Sequence, residues 1–162
     1  MKSVSENGSF SGLASVFGNV DLGGDVVVAG AFSKSLADRG SEIPILWQHD
    51  ARQPIGLGKL KETNSGLLIE GQLVMSVARA KEAYDLMKAR VLKGLSIGFD
   101  TVKSDMQAGI RYLKELKLFE VSLVSIPMNP AAQILTVKIG NLDAQISDLA
   151  QLVRDCRESW RK

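Results

Sequence analysis

Apolar and polar residues fall along this chain in short blocks, most of them of strand length. Phe10 to Phe17 (FSGLASVF), Ile43 to Gln48, Ile55 to Glu62 and Leu67 to Leu73 each read as a strand, and Val26 to Val28 as a shorter one. Asn64-Ser65-Gly66 joins two of these blocks with hairpin chemistry. Pro44 sits near a strand start, where a missing N–H is tolerated. Ala31 to Arg39 predicts a short helix stopped by Gly40. The clearest helix is Arg79 to Leu92: Ala80, Ala83, Tyr84, Met87 and Val91 recur at three- and four-residue intervals, and Gly94 can cap it. A strand over Leu95 to Val102, a turn around Asp105 to Gly109 and a long strand from Ile110 to Ser125 follow. Pro127 and Pro130 break the chain, and Ile134 to Ile139 reads as a last strand.

Beyond residue 140 the period changes. Leu142, Ile146, Leu149, Val153, Cys156 and Trp160 follow a heptad seam with charged residues between. Such a helix either packs on its own domain or serves self-association, and about three heptads is marginal for an isolated coiled coil. The layout expected is a flexible N-terminus over 1–9, one β domain over 10–139, and an amphipathic C-terminal helix over 140–162, an oligomerisation element or a removable extension. Strands and helices do not alternate regularly, which argues against a doubly wound parallel sheet. The expected class is mainly β with flanking helices (α+β), as a closed or nearly closed barrel.

Composition narrows the chemistry. With 162 residues, 45% hydrophobic and 23% charged, the chain has ordinary globular make-up. A net charge of +2 is too small to argue for nucleic acid or an anionic membrane, and no apolar run approaches a membrane span. The segment from Met1 to Glu6 lacks the apolar core of a secretory signal, so a soluble protein of a reducing compartment is expected. The single cysteine, Cys156, rules out an internal disulfide and a cysteine-based metal cluster. The single histidine, His49, rules out a His-rich zinc site, so no metal or other cofactor is expected. Any acid–base chemistry near neutral pH falls naturally to His49.

Gly94-Leu95-Ser96-Ile97-Gly98 matches the G-x-S-x-G pattern of the α/β-hydrolase nucleophile elbow. The context disagrees with that fold, which makes an esterase a poor reading. A helix precedes the motif and a strand follows it, and no histidine lies after Ser96. Ser96 can still be a nucleophile on another scaffold, because triads recur in several chain orders. By strand alternation Ile45, Trp47 and His49 share a face, which makes the adjacent Asp50 a poor partner for His49. Glu120 lies in an apolar strand from Leu118 to Val124, and a buried carboxylate needs a partner such as a histidine N–H. Taken singly, each residue also fits a plainer role: a small residue at a strand start, a structural histidine, a carboxylate paired with one of 20 Lys and Arg.

Taken together, these segments resemble the prohead maturation proteases of tailed phages, a family related to the herpesvirus assemblin proteases. The resemblance spans about Phe10 to Leu135. Its elements run in order from Gly12-Leu13-Ala14-Ser15-Val16-Phe17-Gly18-Asn19-Val20-Asp21 through Gly24-Asp25-Val26-Val27 and Gly30-Ala31-Phe32 to Leu46-Trp47-Gln48-His49-Asp50. Pro54-Ile55-Gly56 and Lys93-Gly94-Leu95-Ser96-Ile97-Gly98-Phe99 come next, and the segment from Glu120 through Pro127-Met128-Asn129-Pro130 to Ala132 closes the series.

The resemblance implies an assemblin-like barrel of about seven strands, a nucleophilic Ser96 and a base, His49. The third triad member varies between branches. The herpesvirus branch uses a second histidine, which this chain lacks, so an acid serves or nothing does, and Glu120 lies in the matching segment. The oxyanion donors are expected to be backbone N–H groups, with Gly98, Ser125 and Asn129 as candidates for oxyanion or substrate contacts. The implied role is cleavage of the internal scaffold, or of the capsid protein's scaffolding segment, and of the protease itself. That work takes place inside the assembling prohead, in the host cytoplasm. A homo-oligomer such as a dimer is expected, with no nucleic-acid or membrane partner. The competing reading is a catalytically silent scaffold or capsid-assembly protein on the same fold.

Overall fold

The strand-length blocks become eight strands, with two helices, in a computed structural model that describes residues 7–138. In chain order the elements are β1 (Ser9–Val16), β2 (Asp25–Val27), α1 (Ser33–Arg39), β3 (Glu42–Trp47), β4 (Asp50–Glu62), β5 (Gly66–Leu73), α2 (Ala78–Lys88), β6 (Gly94–Gln107), β7 (Ile110–Val124) and β8 (Ile134–Val137). The heptad seam from Leu142 to Trp160 lies outside the described residues.

All the strands belong to one sheet, ordered β2-β7-β3-β4-β5-β1-β8, with β6 on β7. β7 is its axis. Antiparallel β6 runs along one edge, while β2 and then β3 pair in parallel with the other, at Arg111–Leu113 and Val121–Leu123. Helix α1 and the turn before it help fill the gap between them: Leu116 N–H donates to Ala31 O at 2.9 Å, and Leu118 N–H to the buried Ser35 Oγ at 3.0 Å. The core takes one face of the strands, including Ile43, Ile45, Leu67, Ile69, Leu95 and Leu123, together with Ala80, Ala83 and Tyr84 of α2.

One irregularity in β7 sets up everything that follows. Gly98 pairs with Glu120, but the next residue of β6, Phe99, pairs with Leu118. Phe119 is therefore an extra residue, a β-bulge, and it is 43% exposed. The bulge switches the alternation. Leu116 and Leu118 face the core before it, and Val121 and Leu123 face the core after it. Glu120 and Ser122 are thereby turned away from the packed apolar face yet stay buried.

Several boundaries differ from the sequence expectation. Helix α2 stops at Lys88 rather than Leu92, because Arg90 takes a left-handed conformation (φ 57°) and the chain turns to bury Leu92. Gly94 opens β6 instead of capping that helix. β6 extends to Gln107, so the turn expected from Asp105 shrinks to Ala108-Gly109, both with positive φ, as a two-residue hairpin loop requires. β4 begins at Asp50, not Ile55.

No ladder among the named strands joins β8 back to β6, so the sheet path is open. The segment 132–134 lies at that seam. Leu13 N–H donates to Gln133 O at 3.0 Å, Leu95 N–H to Ala132 O at 3.0 Å, and Ile134 N–H to Lys93 O at 2.9 Å. Gly12 makes the approach possible, since a Cβ there would lie 2.6 Å from Gln133 O and 3.0 Å from Ile134 Cα. Gly12→Ala is expected to cost about 1–3 kcal/mol of stability through this overlap. Urea denaturation measures it, and an unchanged midpoint would show that the seam carries no strain-sensitive contact.

Candidate active site

Three neighbouring strands bring the candidate residues together. Ser96 lies on β6 directly opposite Ser122 of β7, and Glu120 sits two residues earlier on β7. His49 comes from the β3–β4 connection. Trp47 pairs with Asp50, which leaves Gln48 and His49 as a two-residue turn with φ 50° and 60°. Two successive positive φ values are the mark of a type I′ hairpin turn. The strand expected to carry His49 on the face of Ile45 and Trp47 ends at Trp47, so strand alternation does not aim this side chain.

Neither Gln48 nor His49 is the Asn, Asp or Gly that a type I′ turn prefers, and each left-handed residue costs about 1–2 kcal/mol. β7 offsets that cost. Gln48 N–H donates to Leu123 O at 3.1 Å, and His49 N–H donates to Ser122 Oγ at 3.0 Å. The Gln48 side chain donates to Ser125 Oγ at 2.8 Å and accepts from Ser125 N–H at 3.3 Å.

The His49 ring then meets Glu120. Nδ1 lies 2.6 Å from Glu120 Oε1, and Ser122 Oγ donates to Glu120 Oε2 at 2.8 Å. Glu120 is 8% exposed and Ser122 fully buried, while the His49 ring is half-exposed. A carboxylate only accepts, so Nδ1 carries the proton and Nε2 of the neutral ring keeps a free lone pair. The hydrogen bond that His49 donates to Glu120 raises the His49 pKa above the ordinary 6.5, against a smaller opposing effect of burial. Gly98 is what lets the carboxylate lie there. A Cβ on Gly98 would meet Glu120 Oε1 at 2.3 Å.

His49 and Ser96 both border one cavity of about 360 Å³, whose wall also includes Asp21, Asp25, Phe99, Arg111 and Asn129. Ser96 Oγ makes no side-chain hydrogen bond among the described residues. Of the other residues singled out in the sequence, Asn129 reaches this cavity while exchanging amide hydrogen bonds with Asn19 at 2.9 and 3.1 Å. Ser125 is engaged by Gln48 at the turn and does not line the cavity. Asp50 is held by Arg52 and Gln53, which keep its carboxyl well below the usual carboxylate range, and it does not touch His49. Sequence reasoning missed Ser122 and Gln48. The i, i+2 spacing of Ser122 from Glu120 was a usable signal, whereas nothing in Gln48-His49 announces a type I′ turn. Among the described residues no group of three or more His, Cys, Asp or Glu is placed to hold a metal ion, and no helix is long and apolar enough to cross a membrane.

Known proteins resemble this chain in sequence and in fold. Residues 1–144 match the model of a family described as caudovirus prohead serine protease. The prohead protease of Enterobacteria phage HK97 is 30% identical over 155 residues, covering 93% of this chain and 69% of that protein. The capsid polyprotein of Pseudomonas phage PAJU2 is 36% identical over 106 residues, covering 59% of this chain and only 16% of that protein. Among solved structures, a KSHV protease in complex with a hexapeptide phosphonate inhibitor superposes with a TM-score of 0.54 at 15% identity, over 78% of this chain and 63% of that one. That likeness supports a mainly β, assemblin-like fold.

Because the ring binds its proton more tightly in the folded than in the unfolded chain, protonated His49 stabilises the fold. That contribution is complete below pH 6.5 and is lost as pH rises through the raised folded value. An NMR titration of this sole histidine is expected to give a midpoint above 6.5, and Glu120→Gln is expected to bring it down to 6.5 or below. A midpoint indifferent to Glu120→Gln would contradict the pairing.

Proposed function

Since the chain belongs to the caudovirus prohead serine protease family, we propose that it hydrolyses peptide bonds through Ser96 as nucleophile, His49 as base and Glu120 as the acid that orients the base. The observation that carries this reading is the 2.6 Å contact between His49 Nδ1 and Glu120, made beside a cavity that Ser96 also borders. With Nδ1 protonated, Nε2 is the ring's acceptor. It takes the Ser96 hydroxyl proton as Oγ bonds to the scissile carbonyl carbon. The tetrahedral adduct collapses, the C–N bond breaks, and Nε2 hands its proton to the leaving amine. Water then attacks the acyl ester, giving one proton to Nε2. Ser96 recovers that proton as the acid product leaves. Glu120 steadies the imidazolium in both halves without accepting its proton. The Ser96–His49 hydrogen bond belongs to the substrate complex, where such contacts tighten. Backbone N–H groups supply the oxyanion donors. Asn129, on the cavity wall, and Gly98, two residues beyond the nucleophile, are the remaining candidates near them.

The substrate is the scaffold, or the scaffolding segment of the capsid protein, together with the protease itself, inside the assembling prohead of the host cell. A capsid polyprotein that contains a segment similar to this chain supports a capsid protein as substrate. The sheet acts as a nearly closed barrel, with segment 132–134 bonded to both β1 and the start of β6, and the working form is a homo-oligomer.

Incubated with its capsid or scaffold protein, purified Ser96→Ala or His49→Ala is expected to lose cleavage by about 10³-fold or more. Wild-type turnover in either would defeat the assignment. Glu120→Gln is expected to lose about 10²- to 10⁴-fold in kcat, and a loss within about threefold would remove Glu120 from the triad. In the wild type, kcat/KM rises with pH through a midpoint above 6.5, since the base must be neutral. A catalytically silent assembly protein on this fold would leave Ser96 unlabelled by a serine-directed phosphonate.

A further inference from the structure

Ser122 lies in the middle of β7 with no solvent exposure, directly across the ladder from Ser96. The two serines face the same way, but only Ser96 borders the cavity. The Ser122 hydroxyl is already spent. Its proton goes to Glu120 Oε2 at 2.8 Å, and its oxygen accepts the backbone N–H of His49 at 3.0 Å. The loop of contacts closes through His49 Nδ1 and Glu120 Oε1 at 2.6 Å. A single hydroxyl thus touches both the carboxylate and the turn that carries the imidazole.

We propose that Ser122 is a positioning residue, whose hydroxyl holds the Glu120 carboxylate and the left-handed His49 turn in one register so that Oε1 stays on Nδ1. The proposal rests on the triad reading above for its catalytic consequence, though not for its physical content. Without the hydroxyl, Oε2 loses its donor and His49 N–H its acceptor, both in a buried place. Of the two donors that hold the carboxylate, only the His49 ring then remains. The turn loses one of the two backbone N–H contacts that hold it to β7. Both changes loosen the same pair, and a misplacement of about 1 Å in such a pair is enough to cost turnover.

The sole histidine of the chain makes the test direct. NMR titration of the His49 ring is compared between wild type and Ser122→Ala, alongside kcat and KM on the capsid or scaffold substrate. The other charged groups facing the cavity, Asp21, Asp25 and Arg111, and the neighbouring Asp50 are the same in both proteins, so the difference isolates the Ser122 contact. The His49 midpoint is expected to fall toward 6.5, and kcat to drop at least about tenfold with KM within about threefold. If Ser122→Ala does not fold, Ser122→Cys keeps the volume with a much weaker donor and decides by the same titration. An unmoved or raised midpoint overturns the proposal. Should the wild type cleave nothing while the midpoint still falls on substitution, the protease reading fails and the positioning role stands. Should the wild type cleave and the midpoint stay put, the reverse holds.

Discussion

A carboxylate buried to 8% exposure in the sheet is the constraint around which this molecule is arranged. An ionised side chain in that position is tolerable only if its oxygens are met by donors. Glu120 has one donor for each oxygen, the His49 ring and the Ser122 hydroxyl, and among the described residues no buried side-chain nitrogen or oxygen is left without a partner. The bulge at Phe119 is what turns Glu120 out of the apolar core, and the missing Cβ of Gly98 is what leaves it space. Each of these features is local, and each would be pointless without the others.

The scaffold achieves precision by placing the site on paired strands rather than on long loops. The β6–β7 ladder fixes Ser96, Glu120 and Ser122 relative to one another, and the β3–β7 ladder brings the end of β3, from which the His49 turn springs, alongside them. The one element outside a strand, the turn at Gln48-His49, is the tightest kind available and is tied to β7 through two backbone N–H groups and a side-chain pair. Strained backbone of this sort persists only where the surroundings over-determine it. Here the surroundings are Ser122 and the Leu123 carbonyl of the strand that supplies the carboxylate, with Ser125 just beyond its end.

Much of this was legible in the sequence and some of it could not be. Alternation and turn chemistry located all eight strands to within a few residues, except where β4 and β6 ran on through polar positions from Asp50 to Pro54 and from Lys103 to Gln107. Those stretches are exposed ribbon whose pairing is set by the partner strand, which period alone does not reveal. Burial of Glu120 followed from its apolar neighbours, and its need for a partner followed from burial. The direction of His49 did not follow, because alternation was applied across a turn whose left-handed residues carry no glycine or asparagine to mark it. The bulge was equally hidden, since Leu118-Phe119-Glu120-Val121 reads as an ordinary apolar strand until its partner is known.

The pentapeptide Gly94-Leu95-Ser96-Ile97-Gly98 shows how a familiar pattern can arise for unfamiliar reasons. In a nucleophile elbow the glycines permit a sharp strand-to-helix turn. Here both glycines lie within a strand, and neither has a positive φ. A Cβ on Gly94 would meet Val124 O at 2.6 Å and Pro127 Cδ at 2.8 Å, so that glycine admits the chain leaving β7. A Cβ on Gly98 would meet Glu120 Oε1, so that glycine admits the carboxylate. One serves the close packing of two chain segments and the other serves the charge beside His49. The match to G-x-S-x-G is therefore a coincidence of two separate steric demands on either side of Ser96, and the chain order of histidine, serine and acid follows from the strand order of this sheet.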